Sequence, residues 1–308
     1  MTLESLQYQV KYMWNGLERR MGQTREKLEL HTIIYSLDEF KEDALFLDKV
    51  KRLEKEVRNL NFLEVHSFDQ LDVLHPEECL WITGRKAYIQ VAKERNIAVL
   101  GYQRAGMAEF LPVEHVVMDA AGIEETYLRR VFWRFHNLPW EILETKRCLV
   151  REFAMEDLDA LFALYAKPGM TDYVEPLYSY EEEAAYEEAY IKHRYHYFGY
   201  GMWLVFDKES GKLIGRAGLE DRDYPEGTAM ELGYMIAPEY QRKGYATEVC
   251  RAILTYAKEE LEAESVNCLV DEKNVPSVRL VEKLGFTYEG KTDITGVNLN
   301  RYNIDFFR

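Results

Sequence analysis

Hydrophobic and polar positions along the chain fall into two textures that meet near residue 146. In the first, the β-branched and apolar run His31 to Leu37 predicts a short strand, and the amphipathic stretch Glu39 to Asn59 a helix. Glu78 to Thr83 reads as a buried strand, Gly84 as a turn, Arg85 to Arg95 as a helix and Ile97 to Gly101 as a second strand. A strand, helix and strand this close together form a βαβ unit, which requires a parallel sheet. Val113 to Met118 predicts a further strand and Glu124 to Phe135 a closing helix. Residues 1–146 are therefore expected to be a small α/β domain.

Leu138 to Lys146 reads as the connection, and Cys148 to Arg151 as the first strand of a second α/β domain, 147–308. There, Leu232 to Ile236 is an apolar strand ended by Pro238, and Gln241 to Ala246 a polar turn. From Thr247 apolar residues recur at Val249, Ile253, Tyr256 or Ala257, and Leu261, which is helical spacing. Ser265 to Val270 predicts another strand. Pro276 opens a helix at a tolerated early position, Val278, Val281 and Leu284 line one side, and Gly285 ends it.

The 308 residues, 47% hydrophobic and 30% charged, describe a globular chain with no apolar stretch long enough to span a bilayer. Charged residues interrupt the first twenty positions, so no signal-peptide core is expected, and the cytoplasm is the expected location. Cys79, Cys148, Cys250 and Cys268 are widely separated and no H-E-x-x-H occurs, so neither a disulfide framework nor a metal is expected. A net charge of -15 argues against nucleic-acid binding. Residues 147–308 carry 19 basic and 30 acidic side chains, a field that suits a cationic partner such as an amine as well as mere solubility.

The turn Gln241–Ala246 carries the chemistry. A strand, a tight turn and a helix N-terminus leave backbone N–H groups unpaired beside the positive end of the helix dipole, which suits a pyrophosphate. Gly244 lets backbone approach a ligand, small Ala246 does much the same, and Arg242 and Lys243 add positive charge. On spacing alone, an ordinary turn with a solvated basic pair fits equally well. The second run, Asn274-Val-Pro-Ser277-Val-Arg-Leu280-Val-Glu-Lys283-Leu-Gly285-Phe286, breaks that tie. Together the two runs resemble the GNAT superfamily of N-acetyltransferases: the first its Q/R-x-x-G-x-G/A loop, the second its N-x-x-S-x-x-L-x-E-K-L-G-F segment. Within it, the chain looks most like the branch that acetylates ribosomal-protein N-termini.

The resemblance implies acetyl-CoA as cosubstrate and a primary amine, of a protein N-terminus or a small molecule, as acceptor. It implies that the backbone of Met235 and Ile236 pairs with the pantetheine arm, that Gln241, Arg242, Lys243, Gly244, Tyr245 and Ala246 cradle the pyrophosphate, and that Asn274 bonds the cofactor near its pantetheine. Glu231, at the start of the strand feeding the loop, is the candidate general base, with Glu220 in reserve; either reads equally as a structural glutamate. Many superfamily members present a tyrosine acid where Val281 stands, and Ser277 is the candidate substitute, competing with a helix-capping role. Tyr178, Tyr180, Tyr186, Tyr190, Tyr195, Tyr197 and Tyr200, interleaved with glutamates, mark where an acceptor would dock or where helices pack.

Residues 1–146 resemble, in layout, the second half of a haloacid-dehalogenase-like domain. They contain no D-x-D, and Thr83-Gly84-Arg85 stands where an acidic pair is expected, so the resemblance implies a catalytically dead relative. An unrelated small α/β domain remains the alternative. The rival to an acetyltransferase is a non-catalytic CoA-thioester-binding module with a partner-binding first domain.

Overall fold

The computed structural model describes residues 28–307 apart from Ala105, Ala108, Pro225 and Thr295; the first twenty residues, weighed above as a leader, lie outside the described residues. The described residues form two compact units, divided between Asn137 and Leu138.

In the first unit β1 (Thr32–Tyr35), β2 (Asn61–Glu64), β3 (Cys79–Thr83), β4 (Ala98–Tyr102) and β5 (Val116–Val117) form a parallel sheet in the order β2-β1-β3-β4-β5. It is interleaved with α1 (Leu37–Phe40), α2 (Ala44–Glu56), α3 (Lys86–Glu94) and α4 (Glu125–Phe135). Successive strand residues point to opposite faces, so Ile33, Leu80 and Ile82 enter one core with Phe46 and Phe132, while Ile34, Cys79 and Trp81 enter another with Leu71 and Ile97. Burial on both faces explains why β3 is apolar at every position. The expected βαβ unit is present as β3, α3 and β4. The long amphipathic stretch is instead two helices, because the Asp43 side chain accepts the Phe46 N–H at 3.0 Å and caps α2. Strand β2, short and ending in Asn61 and Glu64, carried too little apolar signal to be expected.

The chain leaves β1 for β2 on one side and returns to β3 on the other, which makes the carboxyl ends of β1 and β3 the switch point of the sheet. The protein fills it. Glu39 is buried there, and its carboxylate accepts the Thr83 hydroxyl at 2.8 Å and the Gly84 N–H. Burial raises the Glu39 pKa despite these donors and the nearby Arg85 and Arg104.

The second unit contains β6 (Glu141–Glu144), β7 (Cys148–Arg151), β8 (Met202–Asp207), β9 (Leu213–Tyr224), β10 (Gly227–Ile236), β11 (Ser265–Val270), β12 (Thr287–Ile294) and β13 (Val297–Asp305). Their order is β12-β13-β11-β10-β9-β8-β7-β6, antiparallel except where β10 meets β11. Its helices are α5 (Leu158–Tyr165), α6 (Tyr180–Tyr190), α7 (His196–Phe198), α8 (Tyr245–Glu259) and α9 (Val275–Leu284). The segment read as a connection includes β6. It pairs with β7 and buries Ile142, with Trp140 buried just before it, so the division between the units falls at Asn137 rather than at 146.

Helix α6 continues through a wide π turn at Ile191–Tyr195 into α7. The Tyr190 hydroxyl donates to Glu220 at 2.5 Å and accepts the Met202 N–H at 2.8 Å, and the Tyr195 hydroxyl donates to the Met202 carbonyl at 2.5 Å. Arg216 and Glu187 make a buried ion pair at 2.9 Å. All four cysteines are free and buried. Among the described residues no helix is long and apolar enough to cross a membrane, and no group of His, Cys, Asp or Glu is placed to hold a metal ion.

Candidate active site

Strand β10 organises the site. It pairs with β9 along its whole length, Gly227 opposite Tyr224 through Ile236 opposite Gly215. On its other side it meets β11 at Glu231 opposite Asn267, and among the described residues the two strands pair no further. Beyond Glu231 they part, so the β11-facing edge of residues 232–236 is open. Met235 packs its side chain with Leu164 and Met170, which leaves its backbone as the group able to meet a ligand.

The strand ends at Ala237, and Pro238–Tyr240 forms a short 3₁₀ turn. Gln241 sends its amide nitrogen back to the Ile236 carbonyl at 2.8 Å, tying the turn to the strand it follows. Arg242 at φ 57° and Gly244 at φ 84° both adopt left-handed backbone. Gly244 is the N-cap of α8, so Tyr245 and Ala246, expected in the loop, are the helix's first residues. No side chain caps this terminus, and the N–H groups of residues 242–247 donate to no protein acceptor among the described residues. A Cβ at Gly244 would meet only the Arg147 Nη2, at 3.6 Å. Unpaired amides, a helix terminus and an open approach form a seat for a diphosphate. Arg242 and Lys243 are exposed at its rim.

The second expected element stands beside the opening. The Asn274 Oδ1 accepts the Ser277 N–H at 3.3 Å and caps α9, leaving the Asn274 amide nitrogen without a protein acceptor among the described residues. The Ser277 carbonyl receives the Tyr234 hydroxyl from β10 at 3.4 Å, a long bond. Burial raises the Tyr234 pKa, so its phenol is neutral. Val281, at the position of the absent tyrosine, is fully buried.

Glu231 and Glu220 lie directly opposite each other on β10 and β9 and share one face. This face is assembled because β10 begins at Gly227, well before its expected start at Leu232. The Glu231 Oε2 accepts Arg222 Nε at 2.5 Å and the Tyr224 hydroxyl at 2.9 Å. Arg222 and Tyr224 were not anticipated. Their alternation with Glu220 along β9 was the available signal. Of the tyrosine-rich segment, Tyr190 reaches this face through Glu220, Tyr195 packs in the interior, and Tyr178 and Tyr197 are exposed.

Arg147 was also missed. Its guanidinium binds Glu248 of α8, with Nε at 2.8 Å, donates to the Lys243 carbonyl at 3.0 Å, and lies 3.9 Å from the centre of the Tyr245 ring.

Residues 147–287 match the family model described as "Acetyltransferase (GNAT) domain". The uncharacterized N-acetyltransferase YoaA of Bacillus subtilis is 30% identical over 151 residues, which is 48% of this chain and 84% of YoaA. The chain belongs to the GNAT acetyltransferase family. The uncharacterized protein YkkB of the same organism is 35% identical over 91 residues, 30% of this chain; the match spans 53% of YkkB, about half its length. Among solved structures, an acetyltransferase from Agrobacterium tumefaciens is 26% identical, with a TM-score of 0.44, and aligns over 53% of this chain and 92% of its own. The reaction of this GNAT domain is acetyl transfer from acetyl-CoA.

Proposed function

We propose that the second unit binds coenzyme A along the gap between β10 and β11 and acetylates a cationic primary amine presented to the Glu220–Glu231 face. The observation carrying this reading is the union, on one strand, of an edge that opens beyond Glu231 and an uncapped helix terminus immediately after it. In this reading the Met235 and Ile236 backbone lies along the pantetheine, the amides of residues 242–246 hold the diphosphate, and the free amide nitrogen of Asn274 bonds the arm. Gln241 serves from within by shaping the turn.

Acyl transfer needs a neutral amine. At pH 7 an amine with a pKa near 10.4 gives up its proton at about 4–5 kcal/mol, an α-amine near 7.8 at about 1 kcal/mol. Glu231 is the proposed base. Its Oε2 is engaged by two donors, so Oε1 receives the proton, directly or through water. Ser277 is placed to hydrogen-bond the departing thiolate rather than to protonate it, serine being a weak acid. The buried, separate thiols support a reducing compartment, the cytoplasm, as the place of action.

A second reading, a CoA-thioester-binding module without turnover, is favoured by the burial of Val281 where many relatives present an acid. Calorimetric titration with acetyl-CoA, followed by thiol release on a panel of peptides with free α-amines, polyamines and aminoglycosides, tests both. Turnover on any amine supports the enzyme, binding without thiol release supports the module, and no binding removes both.

For the first unit the reading is a degenerate, non-hydrolytic α/β domain, supported by the carboxylate of Glu39 filling its switch point. Hydrolysis of p-nitrophenyl phosphate that is lost on altering Thr83 or Glu39 would overturn it.

A further inference from the structure

We propose that Arg147 is a positioning residue of the coenzyme site, cancelling the charge of Glu248 and fixing the turn so that its amides face the diphosphate. The inference rests on the reading of that turn as the seat of coenzyme A. Glu248 stands in the first turn of α8, at the same terminus that would receive a diphosphate. A carboxylate there complements the helix dipole but repels the ligand. Burial alone would raise the Glu248 pKa, but Thr145 and Arg147 outweigh it and hold the carboxyl below its ordinary range, so it is charged at neutral pH.

Arg147 answers that charge at close range. Its Nη2 lies 2.7 Å from Glu248 Oε2, its Nε 2.8 Å from the same oxygen, and its backbone N–H donates to Oε1 at 2.9 Å. The same side chain also grips the turn. Nη1 donates to the Lys243 carbonyl at 3.0 Å, the guanidinium covers the Tyr245 ring, and Nη2 lies 3.6 Å from the point where a Gly244 Cβ would stand. One residue immediately before β7 thus contacts Lys243 and Tyr245, on either side of Gly244, and neutralises the acid behind them. A lone surface ion pair would contribute little. Here it sets the charge met by the ligand.

The test uses the full chain, with calorimetry against coenzyme A and steady-state kinetics with acetyl-CoA and with acetyl-pantetheine, which lacks the diphosphate. Arg147→Gln should raise the Kd for coenzyme A roughly ten- to thirtyfold, the effect of one unbalanced charge a few ångströms away near a surface. The KM for acetyl-pantetheine should stay within about twofold of the parent value. Arg147→Gln combined with Glu248→Gln should regain most of the lost affinity. If Arg147→Gln does not fold, Glu248→Gln alone decides, since leaving Arg147 unbalanced should tighten coenzyme binding severalfold. The proposal is overturned if folded Arg147→Gln binds coenzyme A like the parent, if both thioester donors suffer equally, if the double variant is no better than the single, or if Glu248→Gln alone leaves affinity unchanged. A parent protein that does not bind coenzyme A would instead bring down the reading of the turn, and this inference with it.

Discussion

Gly244→Ala separates the stability of the turn from its use. Gly244 sits at φ 84°, where an L-residue costs about 1–2 kcal/mol. The added methyl touches only Arg147 Nη2 at 3.6 Å, an ordinary contact, so no clash adds to that cost. At about 2–4 °C per kcal/mol for a unit of this size, the thermal midpoint should fall by roughly 2–8 °C. The ligand should suffer more. The methyl projects beside the amides of the helix terminus, and losing two charge-assisted hydrogen bonds, each worth about 1.5–3 kcal/mol, weakens coenzyme A binding roughly a hundredfold or more. Calorimetry gives the affinity and differential scanning fluorimetry the midpoint. Gly244→Asn is the control, because asparagine tolerates left-handed backbone. It should recover part of the midpoint and none of the affinity. A folded Gly244→Ala protein that binds coenzyme A within about threefold of the parent would refute the reasoning.

Three further outcomes follow from named contacts. Because the folded pKa of Glu39 is raised, its contribution to stability is full at low pH and is lost as pH rises through the folded value. Glu39→Gln should therefore gain stability relative to the parent as pH rises from the acid range to neutrality, and a gap in urea unfolding that does not change with pH would contradict this. Glu187→Leu should cost about 3–5 kcal/mol by stranding buried Arg216, and adding Arg216→Met should return much of it; a double variant as weak as the sum of the singles would exclude that account. Glu231→Gln should lower kcat by about 10²–10⁴ for an amine of high pKa and by less for an α-amine, whereas the same loss on Glu220→Gln alone would move the base to β9.

The cofactor side of the site was legible because its signals are local. A strand, a proline stop, a glycine turn and helical spacing lie within one stretch, and β11 matches its expected limits of Ser265 to Val270 residue for residue. The N-cap of α9 was not read correctly: capping was weighed for Ser277, whereas the Asn274 side chain supplies it by accepting the Ser277 N–H. What sequence did not show depends on contacts between distant positions. Arg147 meets Glu248 across 101 residues, and no spacing rule relates them. Tyr190 meets Glu220 only once α6 lies over β9. Strands β2 and β6 were missed because edge strands are short and mix charge with apolar residues, which leaves little alternation to read.

The widened turn at Ile191–Tyr195 sets a numerical constraint on the chain. At 3.6 residues per turn, positions five apart stand about 140° apart around a helix, so Tyr190 and Tyr195 could not both address one strand residue from a regular helix. Loosening the coil to an i to i+5 repeat brings them to the same side, where their hydroxyls hold the N–H and the C=O of Met202. Regular winding at the present length would swing one phenol away from the sheet, whereas removing one residue between the tyrosines would restore ordinary winding and leave them about 40° apart, still on one side. The wall above the two glutamates thus depends on the coil's repeat matching the spacing of its tyrosines, an i to i+5 repeat where they stand five apart.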